Sequence, residues 1–501
     1  MSEAADRDPL SAGPLSADPP RTYHERAARA LAWSVSGRLG VQAIRLAFGV
    51  ALARLLSPRE FGLLAMVTLL TQFAISIADL GFEDALVQKR NLDERHRSSV
   101  FWTMLLAGCV LALGTVAAAP RIAAFYGVED LRPLAHMLSA LFVLRAIGTV
   151  PRAIVARRLD FRSVVRIECA AAVVGGACAV ALAWRGHGVT SLAAQLFAGA
   201  ALESLLSFRA SGWWPRPECR LSALGDLLGF SANRVATRTL GYWSQHVDEL
   251  LVGKLLGVAS LGLYSRAVNV IQVPVLYVSR ATVRVTFPSL ALIQDDPERV
   301  RCTHLRTTGA VALVTIPMSM GLFAVAEPLV IGLFGAHWRE MVPLVRILVV
   351  AGLFQSITTL STTLFLSQGR PGLHLRVNLL QSLTMVAAVL VGRRWGVSGV
   401  AVAYVLATVI ITVPTLHLAG KLVGVSVADV VARTAGAFVA GAFMTVVVVV
   451  FDLWALGGLS AVERLAAEVP IGAVVYGGAI RLFRVEAYQD VLDLLRRAPP
   501  A

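Results

Sequence analysis

In the first long apolar block of the chain, Arg38, Gln42 and Arg45 are spaced four and three residues apart, which stacks them on one face of a helix. A similar arrangement recurs downstream: Arg234 and Arg238 are four apart, Gln245 follows seven residues later, and Arg145 sits alone in another apolar block. An ionisable side chain at bilayer depth costs about 2.5–3.5 kcal/mol on insertion scales, so it ordinarily faces a cavity or a partner. Guanidinium offers a planar fork of N–H donors that fits phosphate in bidentate fashion. If the helices bearing these arginines face one another, the side chains converge on one cationic cavity suited to an anion. The bland alternative is that Arg38 and Arg145, in long spans, snorkel to the headgroups. The acids are fewer. Asp79 ends the second block and Asp248 lies late in the seventh; either can neutralise an arginine or bind a coupling proton or cation. Polar stripes at helical spacing (Thr68, Gln72 and Ser76; Gln355, Thr359 and Thr362; Asn378 and Gln381) suit hydroxyl-rich ligands, or simply bond to neighbouring helices.

These residues need long helices in lipid to position them, and the composition supplies such helices. Of 501 residues, 56% are hydrophobic and 16% charged, against about 45–50% and about 25% in soluble domains. The apolar residues fall in blocks of about 20, the length a hydrocarbon layer of about 30 Å demands. Spans are expected at 31–56, 61–79, 99–119, 132–151, 167–184 and 188–208, then at 226–252, 259–283, 307–333, 342–366, 374–392 and 396–418, with a final pair at 430–451 and 460–480. The fold class is therefore an all-α polytopic membrane protein of about fourteen transmembrane helices. Its divisions are a disordered cytoplasmic tail (1–30), an N-lobe of six helices (31–208), a C-lobe of six (209–418), an extra helix pair (419–482) and a cytoplasmic amphipathic tail (483–501). In that tail, Val485, Tyr488, Val491, Leu492 and Leu495 share a face, which suggests a helix lying on the membrane surface.

The net charge of +14 does not point to nucleic acid, because the Lys and Arg cluster in short links between apolar blocks. Alternate links hold roughly 28 Lys/Arg against roughly 9 in the other set, which puts both termini in the cytoplasm and makes the helix count even. A short internal repeat relates Arg54–Leu63 (RLLSPREFGL) to Lys254–Leu263 (KLLGVASLGL) at a constant offset of 200: Leu55, Leu56, Gly62 and Leu63 recur as Leu255, Leu256, Gly262 and Leu263. The copies lie six helices apart, which predicts two parallel six-helix lobes.

Enzyme signatures are missing. There is no Walker A loop, Gly-x-Ser-x-Gly elbow or His-Glu-x-x-His, and no cofactor is expected. The five cysteines show no Cys-x-x-Cys spacing, so neither a metal site nor a disulfide framework follows.

The stretch ARLLSPREFGLLAMVTLLTQFAISIADLGFEDALVQKR (53–90), with VDELLVGKLLGVASLGLYSRA (247–267), TFPSLALIQ (286–294) and SQGRPGLHLRVN (367–378), resembles the polysaccharide exporters of the multidrug/oligosaccharidyl-lipid/polysaccharide flippase superfamily, in the branch of the colanic acid and O-antigen translocases. That resemblance covers about residues 30–450. It implies a flippase moving an undecaprenyl-diphosphate-linked oligosaccharide across the inner membrane by alternating access, for exopolysaccharide or O-antigen synthesis. It further implies membrane lipids as surroundings, with glycosyltransferases and a polysaccharide polymerase as working partners, and a monomer is expected. Cavity arginines hold the lipid diphosphate in such relatives, and Arg38, Arg45, Arg234 and Arg238 are compatible positions. A multidrug cation antiporter is the first rival, but it would want acids in its cavity. A membrane-embedded polymerase or ligase is the second, but it would need a sizeable external loop, and none is visible.

Overall fold

The computed structural model describes residues 20–78, 82, 86, 93–158, 160–219, 232–456 and 458–497, and among these every regular element is helical. The helices are α1 (Pro20–Leu55), α2 (Pro58–Ala78), α3 (Glu94–Tyr126), α4 (Leu131–Arg157), α5 (Phe161–Trp184), α6 (Val189–Ser211), α7 (Ala232–Leu256), α8 (Val258–Leu292), α9 (Pro297–Ala324), α10 (Met341–Ser367), α11 (Pro371–Gly392), α12 (Gly396–Val423), α13 (Val427–Ala455), α14 (Ala461–Leu482) and α15 (Glu486–Arg497). A helix satisfies its backbone within its own segment, which is what a chain crossing hydrocarbon needs. Ten helical segments among the described residues are long and apolar enough to cross a membrane, one of them (Pro371–Val423) containing both α11 and α12. The protein is thus an all-α, multi-pass membrane protein.

The helices outrun the apolar blocks. α3 has 33 residues, about 50 Å at 1.5 Å per residue, where the sequence marks only 99–119. Lipid thickness sets the length of the apolar window, whereas the helix runs on through polar residues that also favour helical backbone. The expected span 307–333 differs more. α9 stops at Ala324, and the chain continues as a four-residue helix, a π-turn over Val330–Phe334 and a 3-10 turn over Ala336–Trp338. Pro328 lacks an amide donor there, and Gly335 has φ of 102°.

The chain forms two compact units, one of residues 1–56 with 63–242, the other of 57–62 with 243–501. The first has a core of Phe82, Val100, Phe101, Met104, Val150 and Ile154 against Trp213. The second is centred on Leu290, Val300, Leu364, Phe365, Val423 and Val430. Within the second, the start of α2 packs on the start of α8 through the two glycines of the sequence repeat. A Cβ on Gly62 would lie 1.9 Å from the Val258 carbonyl oxygen, and one on Gly262 would lie 1.8 Å from that of Pro58. The contact is a two-fold exchange, residue 62 against 258 and residue 262 against 58. Beside it the Phe61 ring lies under the Arg266 guanidinium at 4.0 Å and edge-on to fully buried Trp338 at 5.4 Å.

α13 and α14 each open with a capping box, Ser426 with Asp429 and Ser460 with Glu463. Arg464 of α14 chelates Asp452 of α13, with Nε at 2.7 Å. α15 meets the rest of the unit through its first turn. Val485 is buried with Leu313, Ala440 and Ile480, and Ala487 is buried too. Gly309 and Gly436 leave the room for them, and Arg433 pairs with Glu486 (2.8 Å) and with Asp490. The apolar side of its first turn is spent on protein. The side chains of Val491 and Leu495 lie outside the described residues.

Candidate functional site

Each unit holds a polar cavity of its own. In the first, α4 carries Arg145, Thr149 and Arg152 at i, i+4 and i+7, one face of the helix. All three line a 200 Å³ cavity closed by Ser76 and Ile75 of α2, Met104 and Gly108 of α3, and Phe142. α4 is held against α6 at the same level: Ser204 Oγ donates to the Leu144 carbonyl at 3.0 Å, and a Cβ on Gly148 would lie 2.5 Å from Ser204 Oγ. That close approach brings Glu203 to Arg152, with Nη1 2.9 Å from Oε1. The Arg145 guanidinium donates no hydrogen bond among the described residues. Glu203 supports its charge electrostatically, while Arg152 and Arg45 of α1 oppose it. Among the described residues the cavity thus carries an excess of positive charge.

The second unit has a larger cavity, 490 Å³, between α7, α8, α10, α11 and α12. Its acid is Asp248, 5% exposed, whose Oδ2 accepts from Tyr264 Oη at 2.8 Å. Gln355 Nε2 donates to Tyr404 Oη at 2.8 Å, and Ser382 Oγ donates to Ser244 Oγ at 2.7 Å. The threonines of α10 and α12 commit their hydrogens to their own helices: Thr359 to Gln355 at 2.7 Å, Thr412 to Thr408 at 2.8 Å, and Thr415 to Ile411 at 2.7 Å. Their oxygens keep lone pairs facing the space. The cavity is therefore rich in acceptors, a surface for sugar hydroxyls or a cation, where the first unit's cavity is rich in donors.

The chain's sequence matches the profile of a family described as polysaccharide biosynthesis protein over residues 51–343. The chain belongs to that family. Family relatives include the lipopolysaccharide biosynthesis protein WzxC of Escherichia coli K12, 25% identical over 76% of this chain and 78% of its own length. The succinoglycan biosynthesis transport protein ExoT of Rhizobium meliloti is 29% identical over 64% of this chain and 65% of its own. Among solved structures, the lipid II flippase MurJ in an inward closed conformation superposes with a TM-score of 0.73 at 14% identity, covering 92% of this chain and all of that one. An inward-facing multidrug resistance MATE transporter of the MOP superfamily follows at 0.61 and 15%, over 78% of this chain and 98% of its own. At these identities the structural likeness is one of fold.

Of the residues singled out from the sequence, Arg145 lines the first unit's cavity with Arg45 acting on it. Gln42 is half-buried and Arg45 exposed on α1. Asp248 and Gln355 share the second unit's cavity, as do Asn378, Gln381, Thr359 and Thr362. Asp79 and the side chains of Arg38, Arg234 and Arg238 lie outside the described residues. Arg152, Glu203, Tyr264 and Tyr404 escaped the sequence reading. Arg152 falls just past the expected span 132–151, although its i+7 spacing from Arg145 gives it away. Glu203, Tyr264 and Tyr404 have partners 51, 16 and 49 residues distant, beyond any helical periodicity.

Proposed function

We propose that this protein is a flippase that carries an undecaprenyl-diphosphate-linked oligosaccharide from the cytoplasmic to the outer leaflet of the cell inner membrane. The observation that carries the reading is Arg145: a guanidinium in the interior of a spanning helix, facing a cavity, with no hydrogen bond donated among the described residues. Retaining it against a cost of about 2.5–3.5 kcal/mol requires a use, and a diphosphate is the anion a bidentate donor fits best. The relatives named for lipopolysaccharide synthesis and succinoglycan transport supply the oligosaccharide, and the fold shared with a lipid II flippase supplies the carrier.

In this reading fourteen helices cross the membrane, α1–α6 and α7–α12 as two lobes and α13–α14 as an added pair, with both termini cytoplasmic. The diphosphate docks on Arg145 with Arg38, Gln42, Arg45, Arg234 and Arg238, and the lipid tail stays in the bilayer. The acceptors around Gln355 take the sugar hydroxyls. Asp248, with Asp79 as a second candidate, binds the coupling ion. A substrate moves such an equilibrium only by binding its two states unequally.

The test is a leaflet-accessibility assay in proteoliposomes with a defined lipid-linked glycan. Arg145→Ala is expected to slow flipping at least about tenfold, the effect of losing about 1.4 kcal/mol of differential binding, and Arg38→Ala and Arg238→Ala are expected to abolish glycan export at normal protein level. Wild-type flipping by Arg145→Ala would end this reading of the cavity.

A further inference from the structure

We propose that Glu203 is a built-in counter-ion that holds Arg152 while the first unit's cavity is empty and yields it to the incoming diphosphate. The proposal rests on the flippase reading and gives it a means of release.

The argument begins with charge. Among the described residues, Arg145 and Arg152 line the wall, the charge of Arg45 acts on Arg145, and the carboxylate of Glu203 opposes them. A diphosphate diester brings about one negative charge on each phosphate, which balances the remaining excess. Arg145 is ready for it, whereas Arg152 is engaged at 2.9 Å by Glu203.

The pair is built to exchange. Its side chains are 33% and 31% exposed, and Arg152 opens on the cavity. An ion pair at such depth is worth little net and breaks without stranding a charge in oil. Its position is nonetheless fixed, because Ser204, the next residue, is bonded to the α4 backbone and packed on Gly148. Glu203 therefore stays beside the site after Arg152 swings to the phosphate, and its charge then repels the bound anion. A carrier must bind tightly enough to load and weakly enough to unload. A fixed carboxylate next to the docking arginines serves the second need.

The experiment measures binding of farnesyl-diphosphate-linked N-acetylglucosamine to the full-length protein in nanodiscs, and flipping of the same lipid in proteoliposomes. Glu203→Gln keeps shape and removes charge. It is expected to bind about two- to fivefold tighter, the scale of one exposed charge contact, and to flip more slowly at saturating substrate. The part of the gain that comes from freeing an arginine should vanish in Arg152→Gln, so Glu203→Gln should tighten binding less in that background than in wild type; an equal gain in both would mean that Glu203 does not hold Arg152, and the proposal falls. Arg145→Ala, tested alongside, should lose binding. If Arg145→Ala loses binding while Glu203→Gln binds like wild type or more weakly, Glu203 is a structural partner only; the proposal falls and the flippase reading stands. If Arg145→Ala binds like wild type, the flippase reading of this cavity falls and takes the proposal with it. Thermal midpoints of all variants identify a misfolded protein, and the double substitution, which leaves no unpaired charge, repeats the comparison should Glu203→Gln prove unstable.

Discussion

Asp248 shows how a single residue separates structural from functional use. Its carboxylate is buried and accepts a hydrogen bond from Tyr264, which an amide oxygen would accept equally well. If Asp248 served only to seat Tyr264, Asp248→Asn would leave transport intact. If its charge binds a coupling cation or proton, the same substitution removes the function and spares the packing. We expect Asp248→Asn to reduce flipping at least about tenfold with unchanged thermal stability, since a charge kept at depth against its desolvation cost is kept for use. Tyr264→Phe should cost less, because the carboxylate survives it. Flipping at the wild-type rate by Asp248→Asn in reconstituted vesicles would remove it from the coupling site. The acid was legible in the sequence because any acid in an apolar block stands out. Tyr264 and Tyr404 were not, because a tyrosine in a spanning helix looks like packing until its partner is known.

At the scale of elements, the meeting of α2 and α8 is fixed by what Gly62 and Gly262 lack. Each presents bare backbone to a carbonyl oxygen of the other helix, with no space for a methyl group. Neither oxygen can give way, since each belongs to a helix rather than to a flexible side chain. Gly262→Ala must therefore force the helices apart, at a cost of about 1–3 kcal/mol or more, and Gly62→Ala should cost as much by the two-fold exchange. Gly114 of α3 is exposed, and an added Cβ meets no described atom. Gly114→Ala should be neutral or gain up to about 1 kcal/mol in helix propensity. Thermal unfolding in detergent reads the difference, and equal midpoints for Gly262→Ala and Gly114→Ala would refute the crossing. The repeat in the sequence pointed to this pair without revealing that its copies touch, since an offset of 200 carries no distance. Helix existence was similarly legible while helix ends were not. Hydropathy marks where lipid begins, whereas the break after Ala324 depends on Pro328 and Gly335 in a stretch still apolar enough to read as span.

For the whole molecule the open quantity is its direction across the membrane, and two natural cysteines report it. Cys219 follows six of the described helices and Cys302 follows eight, so if each of α1–α8 crosses once and nothing else does, both lie on the side of the N-terminus. Both are exposed, whereas Cys109, Cys169 and Cys178 are half-buried in α3 and α5. Near the two exposed cysteines in sequence stand Arg209, Arg216 and Arg220, and Arg299, Arg301 and Arg306, which the positive-inside rule assigns to the cytoplasm. Parity thus predicts only that the two cysteines share a side, and the positive-inside rule predicts that this side is the cytoplasm. A membrane-impermeant maleimide applied to intact spheroplasts should therefore spare both cysteines in variants that carry Cys219 or Cys302 alone. Inverted vesicles should label both. Labelling of both from outside would reverse the orientation and, with it, the leaflet from which the substrate loads. Labelling of one alone would mean that α7 and α8 do not cross as a pair, and the six-helix repeat would fail with them.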